Sequence, residues 1–247
     1  MPTSSTHRPG FIVSIFQVFT VAVTWSIWFF TVWQGDHWAV VRENFFMSIT
    51  MAFGSFVAGA TSEGGGAVAF PVMTMGFGIL PEVARDFSLM IQSVGMSAAT
   101  LMIIVARIPV AWNVIGIAGV GGAFGVILGL EFLTGLFSPA ATKMFFVSFW
   151  LGFGISLVWI NQDRARKVET KTNALGASEN LMLFAVGMIG GAVSSLTGSG
   201  LDILVFSFLA LYFHLSEKIG MPISVVLMAL LSLVGCTWKH NSIGLSH

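Results

Sequence analysis

Charged side chains are scarce in this chain. Asp, Glu, Lys and Arg make up 9% of its 247 residues, whereas a soluble globular domain carries about 25%. Eleven acidic and eleven basic residues are too few to cover the surface of a soluble protein of this length. They balance to a net charge of zero at pH 7, so there is no basic excess to bind a nucleic acid. The scarcity of charge predicts a surface that faces lipid.

Cysteine is scarcer still. Cys236 is the only one, which excludes a disulfide within the chain and argues against a metal site built on cysteine. The histidines His214, His240 and His247 have no second ligand at a metal-binding spacing, so we expect neither a metal nor another cofactor. No small-residue cleavage site follows the first apolar run, so we also expect no cleaved signal peptide.

Long apolar runs are what the chain has instead. A helix that crosses the hydrocarbon core of a bilayer needs about 20 apolar residues. Five runs are close to this length: 11–33, 87–106, 110–136, 144–160 and 219–236. They predict an all-α, polytopic protein that crosses a plasma or inner membrane several times.

Two further apolar stretches, 45–80 and 180–213, are too long for one crossing. As a straight helix the first would run about 54 Å, against a hydrocarbon core of about 30 Å. Glycine-rich segments, TSEGGG at 61–66 and SSLTGSG at 194–200, lie inside them. Each stretch is therefore predicted to break there, as a re-entrant hairpin or as one discontinuous crossing, and the short half-segments favour the hairpin. Such a break is tolerated only against protein or beside a wet cavity.

The two broken stretches suggest an internal repeat. With Gly66 placed on Gly200, both breaks are followed by apolar residues, a polar corner and another span. We therefore expect two related halves and divide the chain into a tail with an extra helix, a first repeat, a basic loop and a partial second repeat. Their boundaries are 1–44, 45–160, 161–179 and 180–247. The basic loop holds four of the eleven basic residues and is expected to be cytoplasmic. On this alignment the second half lacks counterparts of the last two spans, so we expect it to be incomplete.

The breaks are the candidate substrate site. Free backbone N–H groups and hydroxyl groups at a broken helix can bind an anion, and glycine lets the backbone approach it closely. An intramembrane site at paired broken helices is typical of secondary transporters. Alternatively, the glycines only permit close helix packing. The candidate residues are Thr61, Ser62, Glu63, Gly64, Gly65 and Gly66 in the first break, and Ser194, Ser195, Thr197, Gly198, Ser199 and Gly200 in the second.

Five further side chains are candidates for a role around this site. Glu63 and Asp202 are carboxyl groups deep in apolar sequence, where they could couple proton and anion movement, or be paired, or cap a half-helix. Arg85 and Asp86 could line a vestibule or pair with each other at an interfacial corner. Gln92 could reach the edge of the pocket or bond between helices.

At these residues the chain resembles the TauE/SafE family, the sulfite exporter group of membrane proteins. The resemblance is carried by GATSEGGGAVAFPVMT (59–74), ARDFSLMIQSVGMSAA (84–99), SLTGSGLDI (195–203) and EKIGMPISVVLMA (217–229). It implies an all-helical transporter of two related halves that moves small sulfur-containing anions, such as sulfite or organosulfonates, mostly outward. The membrane lipid is the other partner, and a homo-oligomer is left open.

The resemblance covers about 45–236, so the span at 11–33 is expected to be an N-terminal addition. The second break has Gly198-Ser199-Gly200 where the family often has a fuller glycine run, and no counterpart of Pro71 follows it. The apparent shortfall of the second half leaves a non-transporting membrane subunit or a truncated remnant as the alternative function. GSGLD at 198–202 is faintly similar to the GxGD motif of intramembrane proteases, but its aspartate comes one residue late, so we predict no enzyme activity.

Overall fold

The computed structural model describes residues 11–60, 65–162 and 176–245. This part of the chain forms ten α-helices, and two of them continue into a π-helical turn. In chain order they are α1 (Phe11–Gln34), α2 (Trp38–Glu43), α3 (Phe45–Ala60), α4 (Gly66–Pro71, with the π-helical turn Val72–Gly76), α5 (Pro81–Val105), α6 (Trp112–Leu128, with the π-helical turn Gly129–Leu133), α7 (Pro139–Gln162), α8 (Ala177–Thr197), α9 (Leu201–Leu211) and α10 (Glu217–Leu245).

Six of these helices are long and apolar enough to cross a membrane: α1, α5, α6, α7, α8 and α10. Helices α3, α4 and α9 are apolar but shorter. The described residues contain no strand. The prediction of an all-α, multi-pass membrane protein is confirmed.

Helices α6 and α8 form the most closely packed pair, and they run parallel. Gly121 and Gly125 of α6 lie against the backbone of Met188, and Gly187 and Gly191 of α8 lie against the backbone of Ala118 and Gly122. A Cβ atom at any of these four glycines would clash with a carbonyl oxygen of the other helix. Small residues allow this approach, which is how membrane helices gain van der Waals contact without a hydrophobic driving force.

The first broken stretch is a hairpin of α3 and α4. Its two open ends lie together, because the rings of Phe46 and Phe77 are 4.5 Å apart. At the start of α4, a Cβ atom on Gly65 would be 3.1 Å from the methyl carbon of Met51 in α3. The π-helical turn begins directly after Pro71, since proline lacks the N–H that a regular helix would use there.

The second broken stretch is a hairpin of α8 and α9. After Thr197 the chain reverses, so that Leu201 lies beside Gly190 of the preceding helix, where an added Cβ would be 2.9 Å from the Leu201 Cα. Helix α9 then meets the start of α10, where Gly220 lies next to the ring of Phe206. The chain thus reverses direction at both breaks, as predicted for hairpins. In the second stretch only α9 is short, because α8 has 21 residues and is long enough to cross a membrane by itself. A sequence repeat between the two halves stays a prediction.

The two hairpins enter the bundle from opposite ends. We call one end the Arg85 end; the starts of α5 and α7 and the ends of α6 and α10 lie there. The open end of the α3–α4 hairpin belongs to it, because Lys143 at the start of α7 donates to the Thr74 carbonyl at 2.8 Å. Helix α8 runs parallel to α6 and so starts at the other end, which we call the loop end, since the basic loop 161–179 joins it.

Some boundaries differ from those predicted. Helix α5 begins at Pro81 rather than at 87, and α7 begins at Pro139 rather than at 144. The apolar runs stop at Asp86 and Lys143, but both charged side chains are paired or hydrogen-bonded within the fold. The last apolar run ends at 236, yet α10 continues through the polar residues that follow, to Leu245.

Candidate functional site

The turns of both hairpins meet at one side chain, Gln92. This residue is the twelfth of the 25 residues of α5, so it lies near the midpoint of that spanning helix. Its amide nitrogen donates to the carbonyl oxygen of Gly198 at 2.7 Å and to that of Ser88 at 3.1 Å. On its other side is Gly66, where any Cβ atom would clash with the same amide. Gln92 is 1% exposed, so this junction is closed to water in the state described.

The first break is described only in part. Gly66 is packed against α5, where an added Cβ would be 3.1 Å from that of Ser88. Thr61, Ser62, Glu63 and Gly64 lie outside the described residues. Their binding and coupling roles therefore stay predictions.

The second break is fully described, and its backbone N–H groups are bound by the chain itself. The Asp202 carboxylate accepts hydrogen bonds from the N–H groups of Gly200 and Ile203, both at 3.0 Å. The Ser194 hydroxyl accepts one from the Leu201 N–H at 3.0 Å. Three N–H groups at the α9 N-terminus are thus bound within the chain, and Asp202 caps that helix, which was one of the three roles considered for it.

The hydroxyl groups of the second break also point inward to its own backbone. Thr197 donates to the Ser199 carbonyl at 2.7 Å, Ser195 to the Ala192 carbonyl at 2.6 Å, and Ser199 to the Asp202 carboxylate at 3.3 Å. Gly198 has φ 80° and Gly200 has φ 157°, values that other residues adopt only with strain. The break is thus a rigid, self-bonded turn, and its group nearest to α5 is the Gly198 carbonyl.

A buried cation lies two helical turns from Gln92. Arg85 is 4% exposed, and its guanidinium pairs with Asp86 at 2.8 Å and donates to the Ser195 carbonyl at 3.4 Å. Lys239 of α10 pairs with the other oxygen of the same carboxylate. Arg85 and Asp86 therefore do pair with each other, as considered from the sequence. Because two cations share one carboxylate, the cluster keeps one positive charge.

A small cavity opens beside this cluster at the Arg85 end. Its volume is about 80 Å³, against about 30 Å³ for a water molecule in the liquid, so it can hold a small ion. Arg85 is thus placed on a cavity wall, as expected for a vestibule. The lining residues are Leu80, Pro81, Glu82, Arg85, Thr134, Phe137, Pro139, Thr142 and Leu196.

Sequence reasoning missed several residues of this region. Ser88 is fully buried between Gln92 and Gly198, and its only signal was its place one turn before Gln92. Glu131, near the end of the apolar run 110–136, accepts a hydrogen bond from the Trp238 indole at 2.7 Å. Lys239 follows the last apolar run, and 153 residues separate it from Asp86. Among the described residues no three His, Cys, Asp or Glu side chains cluster as a metal site.

The chain matches the family model described as Sulfite exporter TauE/SafE over residues 10–243. No curated protein and no solved structure gives a significant match. The matched range includes α1, so the expectation that the span at 11–33 is an addition to the family pattern is wrong. The range also extends to 243, which corrects the expectation of a second half that falls notably short.

Proposed function

Because the chain belongs to the sulfite exporter TauE/SafE family of membrane transporters, we propose that it carries small sulfur oxyanions, such as sulfite or organosulfonates, outward across the membrane. Membership of this family implies an integral membrane protein that transports an anion. The particular anion, its direction and its coupling are our proposal.

The observation that supports this proposal most directly is the meeting of the two hairpins at Gln92. One hairpin enters from each end, so the barrier between the two sides of the membrane is thin at this point. Half-helices that end near the midplane are how secondary transporters place backbone groups around a substrate. A small relative movement of the two turns would open the junction to one side and then to the other.

Arg85 is the group that we assign to attract the anion. A cation that is buried in the protein near one end of a spanning helix is costly and is a candidate for an ion pathway. Its single carboxylate partner, Asp86, is shared with Lys239, so an oxyanion from the cavity can take the guanidinium while Lys239 keeps Asp86 neutralised. Guanidinium is suited to this exchange because its planar donors match two oxygens of an oxyanion at once.

Proton coupling, if present, is better assigned to Glu63 than to Asp202. Asp202 accepts hydrogen bonds from two backbone N–H groups at the start of α9, so its carboxyl group is engaged in capping that helix. Glu63 lies in the first break, next to the junction at Gly66 in sequence. Glu63→Gln should therefore abolish any dependence of flux on a pH gradient, while Asp202→Asn should chiefly destabilise the protein; an unchanged pH dependence in Glu63→Gln would exclude coupling through this residue.

The test of the proposed function is sulfite flux in proteoliposomes made with the whole chain, with and without a pH gradient. We expect Arg85→Gln to lower the initial rate at limiting sulfite at least about tenfold, since one charge-assisted hydrogen bond contributes about 1.5–3 kcal/mol. Arg107→Gln is the matched control, because it removes the same charge from an exposed position between α5 and α6 at the loop end. Equal rates for both variants would contradict the role given to Arg85, and no wild-type flux of any sulfur oxyanion would contradict the proposed function.

A further inference from the structure

The side-chain oxygen of Gln92 is a buried acceptor that has no hydrogen-bond partner among the described residues. A buried polar atom without a partner costs free energy, so native structures rarely keep one without a reason. This oxygen belongs to the amide whose nitrogen lies between Gly66 and Gly198, at the junction that the proposed substrate has to pass.

The orientation of the amide is determined by its nitrogen. Both hydrogens of that nitrogen have carbonyl acceptors, on Gly198 and on Ser88. With the amide reversed, the oxygen would face two carbonyl oxygens and lose both hydrogen bonds. The free oxygen is therefore held in place, and it can only accept a hydrogen bond.

We propose that Gln92 selects oxyanions that carry a proton, because its free oxygen accepts a hydrogen bond from that proton. This inference rests on the proposed function and narrows it. It predicts that sulfite is carried as the hydrogensulfite monoanion. The sulfite dianion and sulfonates have no proton to donate and would leave the oxygen unsatisfied.

The charges near the site favour a monoanion over a dianion. Arg85, Asp86 and Lys239 together carry one positive charge, but Glu82 lines the same cavity as Arg85 and Asp202 lies at the start of α9. The remaining charged groups on the helices packed around Gln92 are Glu179, Glu217 and Lys218 at the loop end, and the described residues of α4 carry none. A dianion would therefore arrive with a negative charge that these groups do not compensate.

The test compares sulfite with methanesulfonate, a sulfonate that has a methyl group and no dissociable proton. Flux of both is measured in the same proteoliposomes of the full chain, at equal pH on both sides and at a series of pH values. We expect the sulfite rate to rise relative to the methanesulfonate rate as the pH is lowered through the range in which sulfite takes up its proton. At the acidic end, sulfite should be preferred at least about tenfold, as expected when the competitor leaves a buried acceptor unpaired.

Gln92→Met removes the acceptor at nearly constant volume and should bring the ratio of the two rates close to one. Ser93→Ala is the control; this neighbour bonds only to Met90 of its own helix, and the ratio should stay as in the wild type. The ratio does not depend on the fraction of folded protein. If Gln92→Met has no flux at all, the pH series of the wild type still shows whether the protonated form of sulfite is preferred over methanesulfonate.

Three outcomes would overturn the inference. If the ratio of the sulfite rate to the methanesulfonate rate does not change with pH, the protein does not distinguish hydrogensulfite from the sulfite dianion. Methanesulfonate flux that rises together with sulfite flux means that a protein group titrates instead. An unchanged ratio in Gln92→Met means that another residue selects the anion. Flux of neither anion in the wild type would overturn the proposed function itself, and this inference with it.

Discussion

A single amide lies between the two breaks, bonded to Gly198 of the second and packed against Gly66 of the first. Gln92 was predicted either to reach a pocket edge or to bond between helices, and it does the second through Gly198. Its partner could not be predicted, because the two residues are 106 positions apart and nothing in the local pattern connects them. The same holds for the Asp86–Lys239 pair, whose members looked like a helix corner and a tail.

At the residue scale, Gly198→Ala should disturb this junction. Alanine at φ 80° costs about 1–2 kcal/mol, and its Cβ would be 2.6 Å from that of Ser88. We expect a melting temperature in detergent lower by several degrees, together with reduced sulfite flux, because the Gly198 carbonyl would no longer meet Gln92.

Gly95→Ala is the matched control for that variant. Gly95 lies in α5 close to Gln92, and an added Cβ there has no neighbour within 4 Å. Alanine also favours a helix over glycine by about 1 kcal/mol, so this variant should melt at the wild-type temperature or above it. Equal melting temperatures for the two variants would mean that the Gly198 turn carries no strain.

At the scale of elements, the breaks were predictable and the helix contacts were not. An apolar stretch of 36 residues that contains three consecutive glycines cannot remain one straight crossing, so a break at 61–66 followed from geometry. The glycines of α6 also indicate a close contact. They do not indicate that the partner is α8, since any helix with small residues on one face would fit them.

The contact between α6 and α8 can be tested through Gly125. Its hydrogen faces the Met188 carbonyl, and alanine would clash with that backbone. Overpacking of this kind costs about 1–3 kcal/mol, so Gly125→Ala should lower the melting temperature by about 3 °C or more.

Gly116→Ala provides the comparison on the same helix, because an added Cβ there meets open space. This variant should keep the wild-type melting temperature. A similar loss in both variants would indicate a general effect of alanine in α6 rather than a close contact with α8.

At the scale of the whole molecule, the chain was expected to be an incomplete two-fold repeat. The two hairpins enter the bundle from opposite ends. Three spanning helices, α5, α6 and α7, lie between them, and an odd number of crossings takes the chain to the other side. The family match from 10 to 243 shows that the chain is not notably short for a member of that family. Among the described residues, three spanning helices follow the first hairpin and one follows the second, so the alternative of a non-transporting subunit or a remnant stays open to the flux measurement.

The opposite entry of the hairpins makes a labelling prediction. In a Cys236→Ser background, a cysteine at Phe77 should react with a membrane-impermeant thiol reagent from the same side as a cysteine at Leu136. A cysteine at Lys218 should react from the other side, together with one at Arg107. The positive-inside rule places this second pair in the cytoplasm.

The labels are compared in intact cells and in inverted vesicles. Labelling of Phe77 and Lys218 cysteines from the same side would contradict the opposite entry of the two hairpins. Each pair contains its own control. Leu136 and Arg107 lie in the connections between spanning helices at the two ends, so Phe77 should label with Leu136 and Lys218 with Arg107.

The glycine contact of α6 with α8 also limits which parts of the molecule can move. The backbones of the two helices touch without side chains between them. One helix therefore cannot slide along the other without backbone collisions at Gly125 and Gly187. The α6–α8 pair is therefore the fixed frame of the carrier. The α3–α4 hairpin packs on α5 and α7 and takes no part in this glycine contact, so it is the part that we expect to shift, and Gln92 lies where it meets the second break.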